Sequence, residues 1–263
     1  MIRYLKAIPL FLLMYVSDIH VKLKVQKITQ KNTSRIGGSI KRNGELLVIK
    51  AIAPQSKVIF DVGANRGEWC EAALANASSS TLQTIYAFEP VPHTFTKLKE
   101  KISNENVITS NIAIGNINGT SKLVVPMTPS AQGASFFDRA RFSVMKTCSI
   151  TVPVRSLDSF CNEHGIEQID LLKIDTEGAE LAVLQGAASL LESKTVSAIQ
   201  FEYGGTYKDA KIKLLDVYNL LTANGYQIYR ISPNGLLEVD KWYSWLEDYK
   251  YSNYLALLPS IAT

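Results

Sequence analysis

At 263 residues, with 46% hydrophobic and 20% charged side chains, the chain has the composition of a globular protein able to bury a substantial core. Cys70, Cys148 and Cys161 are an odd count without a C-x-x-C pair, which excludes a disulfide framework and a cysteine zinc site and fits a reducing, cytoplasmic setting. The net charge of +4 is unevenly spread: residues 1–50 hold ten Lys or Arg against Asp18 and Glu45, so this segment is +8 and the remainder −4.

The first element is an arm. Ala7 to Val16 is uncharged and mostly apolar, about half the roughly 20 residues that cross a bilayer as a helix. Arg3 and Lys6 precede it as in a signal peptide, but no small-x-small cleavage site follows. Residues 1–45 therefore read as a basic, partly apolar N-terminal extension. Its expected partner is the anionic inner face of a membrane, contacted peripherally and reversibly through the apolar run with Lys22, Lys24 and Lys27. A merely solvated arm is the plainer alternative, and no nucleic-acid partner is assigned.

Beyond Lys50, strand-like and helix-like segments take turns, the pattern of a parallel sheet with crossover helices. Val58 to Asp61 is a β-branched and aromatic run, and a glycine-bearing turn leads from it into a helix over Glu68 to Ala77. Thr84 to Phe88 is the next buried strand, Pro92 opens a helix towards Ile102, and Val107 to Ile112 is the third strand. A β-rich insertion is expected near 119–157, with extended segments Lys122 to Val125 and Ser149 to Val154 around the polar Gln132-Gly133-Ala134-Ser135. Ile169 to Ile174 is the fourth strand, Glu180 to Leu191 one helix, and Val196 to Phe201 the fifth strand. A helix over Lys211 to Asn224, ended by Gly225, precedes the strands Tyr226 to Ile231 and Tyr254 to Leu258. The expected fold is an α/β, Rossmann-like domain over residues 46–263 with a seven-stranded, mostly parallel sheet and helices on both faces.

The chemistry should sit where strands hand over to helices, because ligands of open α/β sheets bind at the carboxyl edge. Asp61-Val62-Gly63-Ala64-Asn65-Arg66-Gly67 joins the first strand to the first helix. Gly63 permits a tight turn and close approach of a ligand, Gly67 lets the helix start close to the strand, and the helix N-terminus suits a carboxylate. Its D-x-G-x-x-x-G spacing disfavours a dinucleotide, for which G-x-G-x-x-G is expected. Glu89, about twenty residues on at the end of the second strand, is placed to accept hydrogen bonds from ribose hydroxyls. Asp175, Glu177 and Glu180 follow the fourth strand, and either cap the next helix or face a ligand. Gly178 within that turn favours the second reading, and the buried Lys173 needs an acid partner. No histidine metal pattern and no G-x-S-x-G elbow are present.

Taken together, Val58 to Glu68, Ala87-Phe88-Glu89-Pro90, Val154-Arg155-Ser156-Leu157-Asp158, Leu172 to Glu180 and Asn253-Tyr254-Leu255-Ala256 resemble the signatures of the FkbM family of O-methyltransferases, over about residues 46 to 259. The resemblance implies the class I methyltransferase sheet, six strands one way and one against, and S-adenosylmethionine as cofactor. It would place Asp61, Gly63, Ala64, Asn65 and Gly67 around the methionine part. Glu89, with Pro90 beside it, would hold the ribose, while Asn111 and Ala113 would border the adenine. Asp175 and Glu177 would lie near the methyl sulfonium as the catalytic pair, with Asp175 steering the acceptor hydroxyl or taking its proton. A divalent ion between these two carboxylates is conceivable, but two acids are a thin metal signature and no metal is assigned. The expected acceptor is a hydroxyl of a sugar, glycan or secondary metabolite. The alternatives are a non-catalytic glycan- or membrane-associated binding protein, or a nicotinamide-dependent oxidoreductase.

Overall fold

The computed structural model describes residues 23–30, 39–127, 135 and 146–259, and every structural statement refers to these. The run Ala7–Val16 and Lys22 lie outside the described residues, as do Gln132 to Ala134.

The described chain begins with β1 (Val25–Lys27) and α1 (Glu45–Ile52), then alternates through β2 (Val58–Val62), α2 (Glu68–Asn76), β3 (Thr84–Phe88), α3 (Pro92–Lys101) and β4 (Val107–Ser110). It then builds β5 (Ala113–Ile114), β6 (Gly119–Pro126) and β7 (Thr147–Arg155), and resumes with α4 (Leu157–His164) and β8 (Ile169–Ile174). The remainder is α5 (Glu180–Gln185), α6 (Ala188–Glu192), β9 (Val196–Tyr203), α7 (Gly205–Ala210), α8 (Leu214–Ala223), β10 (Gln227–Ser232), β11 (Gly235–Val239) and β12 (Ser252–Leu257).

The main sheet runs β1-β11-β10-β12-β9-β8-β2-β3-β4. From β9 to β4 all neighbours are parallel, and β12 lies antiparallel between β9 and β10. All seven expected strands are therefore in one sheet, six running one way and β12 against them. The count of seven needs correction, because nine strands are joined among the described residues. The additions are β11, which turns back on β10 through Pro233-Asn234 with Ser232 paired to Gly235, and β1, which pairs parallel with β11. The third expected strand ends early, at Ser110, because the chain leaves the main sheet and Ala113–Ile114 pair with β7 instead.

Period-two alternation sends successive residues of each central strand to opposite faces. Ile59, Leu171, Ala198 and Leu255 pack with α1, α2 and α3, whereas Phe60, Leu172, Ile199 and Ala256 pack with the helices of the other face. Both faces being covered explains why Ile169–Ile174 is buried throughout. On the second face the Phe160 ring meets Phe60, Tyr86 and Phe88 edge-on, with centroids 4.9 to 5.9 Å away. Ser156 starts the helix that carries Phe160, its hydroxyl accepting from the Ser159 N–H at 3.2 Å, a cap worth about 1 kcal/mol.

The single helix expected over Glu180 to Leu191 is broken at Gly186-Ala187. A Cβ on Gly186 would stand 2.0 Å from the Gly115 carbonyl oxygen, so the chain after β5 crosses directly over this position. Asp158 completes the joint: its N–H donates to the Gly186 carbonyl at 2.9 Å, and its carboxylate accepts from Ser189 and Leu190 at the start of α6. Likewise, the helix expected from Lys211 starts only at Leu214, because Lys211 takes the left-handed conformation that ends the short α7.

Candidate functional site

The loops after β2, β3, β8 and β9 meet at the carboxyl edge of the sheet around a cleft of about 1210 Å³. Beneath it lies Lys173, whose ammonium is 3.1 Å from Asp61 Oδ1 and 3.4 Å from Asp175 Oδ2, and donates to the Gly63 carbonyl at 3.5 Å. Burial pushes the Asp61 carboxyl up, and the ammonium and the Cys70 backbone N–H oppose that. Burial also works against the Lys173 charge, but Asp61, Asp175 and Glu45 outweigh it and hold the amine above its ordinary pKa. A permanent cation is thus fixed under the cleft, and Trp69 covers it with its ring centroid 5.9 Å away.

The turn after β2 is held from both sides. The Gly63 and Ala64 N–H groups both donate to the Phe88 carbonyl, at 3.0 and 2.9 Å, which ties the turn to the end of β3. Gly63 has φ +81°, and a Cβ there would fall 1.9 Å from the Asp175 carbonyl oxygen. Gly67 also has φ +81°, but a Cβ there would strike Leu98 and Ile102, so this glycine seats α2 against the α3 region. Asn65 completes the turn at φ +50°.

Glu89 follows β3 and is 6% exposed. Its Oε2 accepts from the Asn65 N–H at 3.0 Å and its Oε1 from the Val91 N–H at 2.9 Å. Burial pushes this carboxyl up to about 7, against those two hydrogen bonds. Asn111 braces the same corner, its amide donating to the Glu89 and Pro90 carbonyls at 2.8 and 3.1 Å.

After β8 the three acids divide their tasks. Glu180, 1% exposed, accepts from the Thr176 N–H at 2.8 Å, the Thr176 hydroxyl at 3.0 Å and the Gly178 N–H at 3.0 Å. It is the acid that shapes the loop, and burial pushes it up to about 7. Asp175 and Glu177 line the cleft instead. Gly178 at φ +110° supplies a backbone conformation that side chains resist, which accounts for its place in the turn.

Of the residues singled out in the sequence, Gly63, Ala64, Asn65, Glu89, Pro90, Ala113, Asp175 and Glu177 line this one cleft. Asp61, Gly67 and Asn111 stand behind its walls and hold them. Glu45, Glu202, Thr206 and Tyr251 also line the cleft and were not anticipated. Glu202 had a legible signal, an acid at the end of a buried strand like Glu89. Glu45 had none: its carboxylate is held by the nearby Asn43 and by two partners far away in the chain, Gln200 at 2.6 Å and Asn253 at 3.2 Å. Among the described residues no group of three His, Cys, Asp or Glu is arranged to hold a metal ion, and no helix is long and apolar enough to cross a membrane.

Comparison with known proteins identifies the family. The methyltransferase FkbM domain matches residues 61–228. The hexuronic acid methyltransferase AglP of Haloferax volcanii is 28% identical over 182 residues, 68% of this chain and 71% of that protein. The 2-O-methyltransferase NoeI of Sinorhizobium fredii is 25% identical over 159 residues, 55% of this chain and 63% of its own. The crystal structure of methyltransferase FkbM from Methylobacillus flagellatus KT superposes with a TM-score of 0.48 at 17% identity, over 77% of this chain and 44% of that one. With the family domain spanning the turn after β2, the Glu89 corner and the Asp175 loop, this chain belongs to the FkbM methyltransferase family and carries the class I methyltransferase sheet.

Proposed function

We propose that the protein is an S-adenosylmethionine-dependent O-methyltransferase acting on a sugar hydroxyl. The observation that carries this reading is the convergence of Glu89, from the end of β3, and Asp175, from the end of β8, on one cleft beside the Gly63 turn. The residues fit the cofactor. The buried Glu89 carboxylate has about four acceptor sites, and backbone N–H groups use two, which leaves sites for a ribose diol. Ligand pockets commonly measure about 300 to 1,000 Å³, so a cleft above that range leaves room for an acceptor beside the cofactor.

In this reading Gly63, Ala64 and Asn65 hold the methionine part, Glu89 the ribose, and Pro90 and Ala113 border the adenine. The cofactor supplies a methyl group activated on a sulfonium. Asp175, its charge balanced in part by Lys173, steers the acceptor hydroxyl into line, and Glu177 stands beside it. Removing water and fixing that alignment contributes much of the rate in such transfers. The sugar acceptor is supported by relatives named for hexuronic acid and for 2-O-methylation.

Calorimetric titration with S-adenosylmethionine, S-adenosylhomocysteine and NAD tests the cofactor. Labelled methyl transfer to a panel of neutral and acidic glycosides tests the acceptor. Binding of NAD in place of the methyl donor would overturn the reading, and so would binding of the donor with no transfer to any hydroxyl compound.

A further inference from the structure

Among the described residues, Glu202 is a cleft carboxylate without a hydrogen-bonding or ion-pair partner. Lys173 pairs with Gln200 and Ile174 with Phe201 in parallel register, so the next residues across the two strands are Asp175 and Glu202. Adjacent strands lie about 4.8 Å apart, and both acids line the cleft. Asp175 has Lys173, Glu180 has its loop, and Glu45 has Gln200 and Asn253. Among the described residues, no hydrogen bond or ion pair reaches the Glu202 carboxylate.

The groups facing Glu202 are mostly acidic. Asp175, Glu177 and Glu180 approach from the loop and helix after β8, Tyr207 from α7, and Tyr251, which also faces Glu45, from the chain before β12. Lys208 and Asp209 of α7 line the same cleft. Lys173, the buried cation that acts on Glu202, is shared with Asp61 and Asp175. Burial first, and then these acids, push the Glu202 carboxyl well above the usual range, with Lys173 opposing.

We infer that Glu202 carries a proton in the ligand-free enzyme, releases it when the sulfonium of the methyl donor enters the cleft, and then accepts the proton of the acceptor hydroxyl. The inference rests on the cleft being a site for S-adenosylmethionine. A cation within about 4 to 6 Å lowers a carboxyl pKa by about 1 to 3, which opposes the upward push of burial and the neighbouring acids on Glu202. In the transfer, the hydroxyl oxygen forms its bond to the methyl carbon and the C–S bond breaks with its electron pair going to sulfur. The hydroxyl proton goes to Glu202. The spent donor is a neutral thioether, so nothing remains to expel that proton until the next sulfonium arrives. Donor charge and base protonation therefore alternate through the cycle.

Proton release on binding tests this without any acceptor. Calorimetry at pH 7 in phosphate and in Tris, buffers of different ionisation heat, counts the protons released by S-adenosylmethionine and by S-adenosylhomocysteine. The two share adenosine and amino-acid groups, so linkage through Glu89 is common to both and the difference isolates the sulfonium. The expected result is a release of protons with the sulfonium in excess of that with the thioether. In Glu202→Gln that excess should vanish while S-adenosylhomocysteine affinity is unchanged. Equal counts in the wild type, or an excess that survives in Glu202→Gln, would overturn the proposal. Should the variant fail to fold, carboxyl ¹³C spectra of glutamate-labelled wild-type protein give the same reading. One glutamate must ionise with the sulfonium and not with the thioether; if none does, the proposal fails. Failure of both ligands to bind would instead sink the cofactor assignment, and this inference with it.

Discussion

The Cα of Gly63 faces the backbone carbonyl of Asp175 so closely that a methyl group placed on it would sit 1.9 Å from that oxygen. The two loops proposed to hold donor and acceptor are therefore packed backbone against backbone, and the Asp175 N–H donates to the Val62 carbonyl at 3.0 Å just beneath. Gly63→Ala must part these loops and also force alanine to φ +81°, a strain of about 1 to 3 kcal/mol before any clash. Affinity for S-adenosylhomocysteine should fall at least tenfold and the melting temperature should drop by several degrees. Wild-type affinity in calorimetry would show that the loop contact does not shape the site.

Lys173 is the counter-charge for a fully buried Asp61. Lys173→Met should cost about 3 to 5 kcal/mol, the usual result of stranding one member of a buried pair. The double variant Asp61→Asn with Lys173→Met should recover part of that loss. Chemical denaturation of the four proteins measures the coupling, and strictly additive losses would mean the pair is not coupled.

Glu89 and Glu180 are both held near 7 by burial, above the 4.5 of a free glutamate. The sign follows: between those values the folded protein binds more protons than the unfolded chain, so these groups lower stability as pH rises from about 4.5 to 7. Stability measured by denaturation should decline across this window and level off above it. Cofactor affinity should move the opposite way, because an ionised Glu89 accepts more hydrogen bonds from a ribose. Glu89→Ala should weaken binding at least tenfold and flatten that pH dependence. An unchanged profile would remove Glu89 from the ribose site.

Asp175→Asn keeps the size of the side chain and removes its charge. A charge-assisted hydrogen bond to the acceptor is worth about 1.5 to 3 kcal/mol, so turnover should fall roughly 10- to 100-fold with little change in melting temperature. A folded variant that methylates at the wild-type rate would reduce Asp175 to a structural partner of Lys173.

The basic arm is proposed to bind anionic membranes, and the pairing of Val25–Lys27 with β11 dictates how that is tested. A truncation must begin at about Leu23, since a cut further on removes β1 as well. Full-length protein should sediment with anionic vesicles more than the truncated one, and equal sedimentation would sink the proposal.

The strands that carry the site were legible because each is a short β-branched or aromatic run ending in a turn. Glu89 and Asp175 could be placed because a residue at the end of such a strand has only one edge to face. Val25–Lys27 gave no such signal, being three residues with Gln26 and Lys27 exposed, defined only by pairing with β11. The break at Gly186 was equally hidden, since its cause is Gly115, distant in sequence. Gln200 and Asn253 meet Glu45 only once the sheet has assembled, so no local pattern announces that carboxylate as part of the cleft.

The seat of Gly115 over Gly186 separates the anchoring of a sheet from the lining of the cleft. The second, three-stranded sheet, in the order β5-β7-β6, is locked at its root by a contact between backbones, while Leu123, Val125 and Met127 farther along β6 and its end form a wall of the cleft. Met127, 62% exposed at the end of that wall, can change without disturbing the joint or the turn after β2. The joint is thus fixed by backbone and the wall by side chains, so the shape of the cleft on this side is set independently of the contact that anchors the sheet.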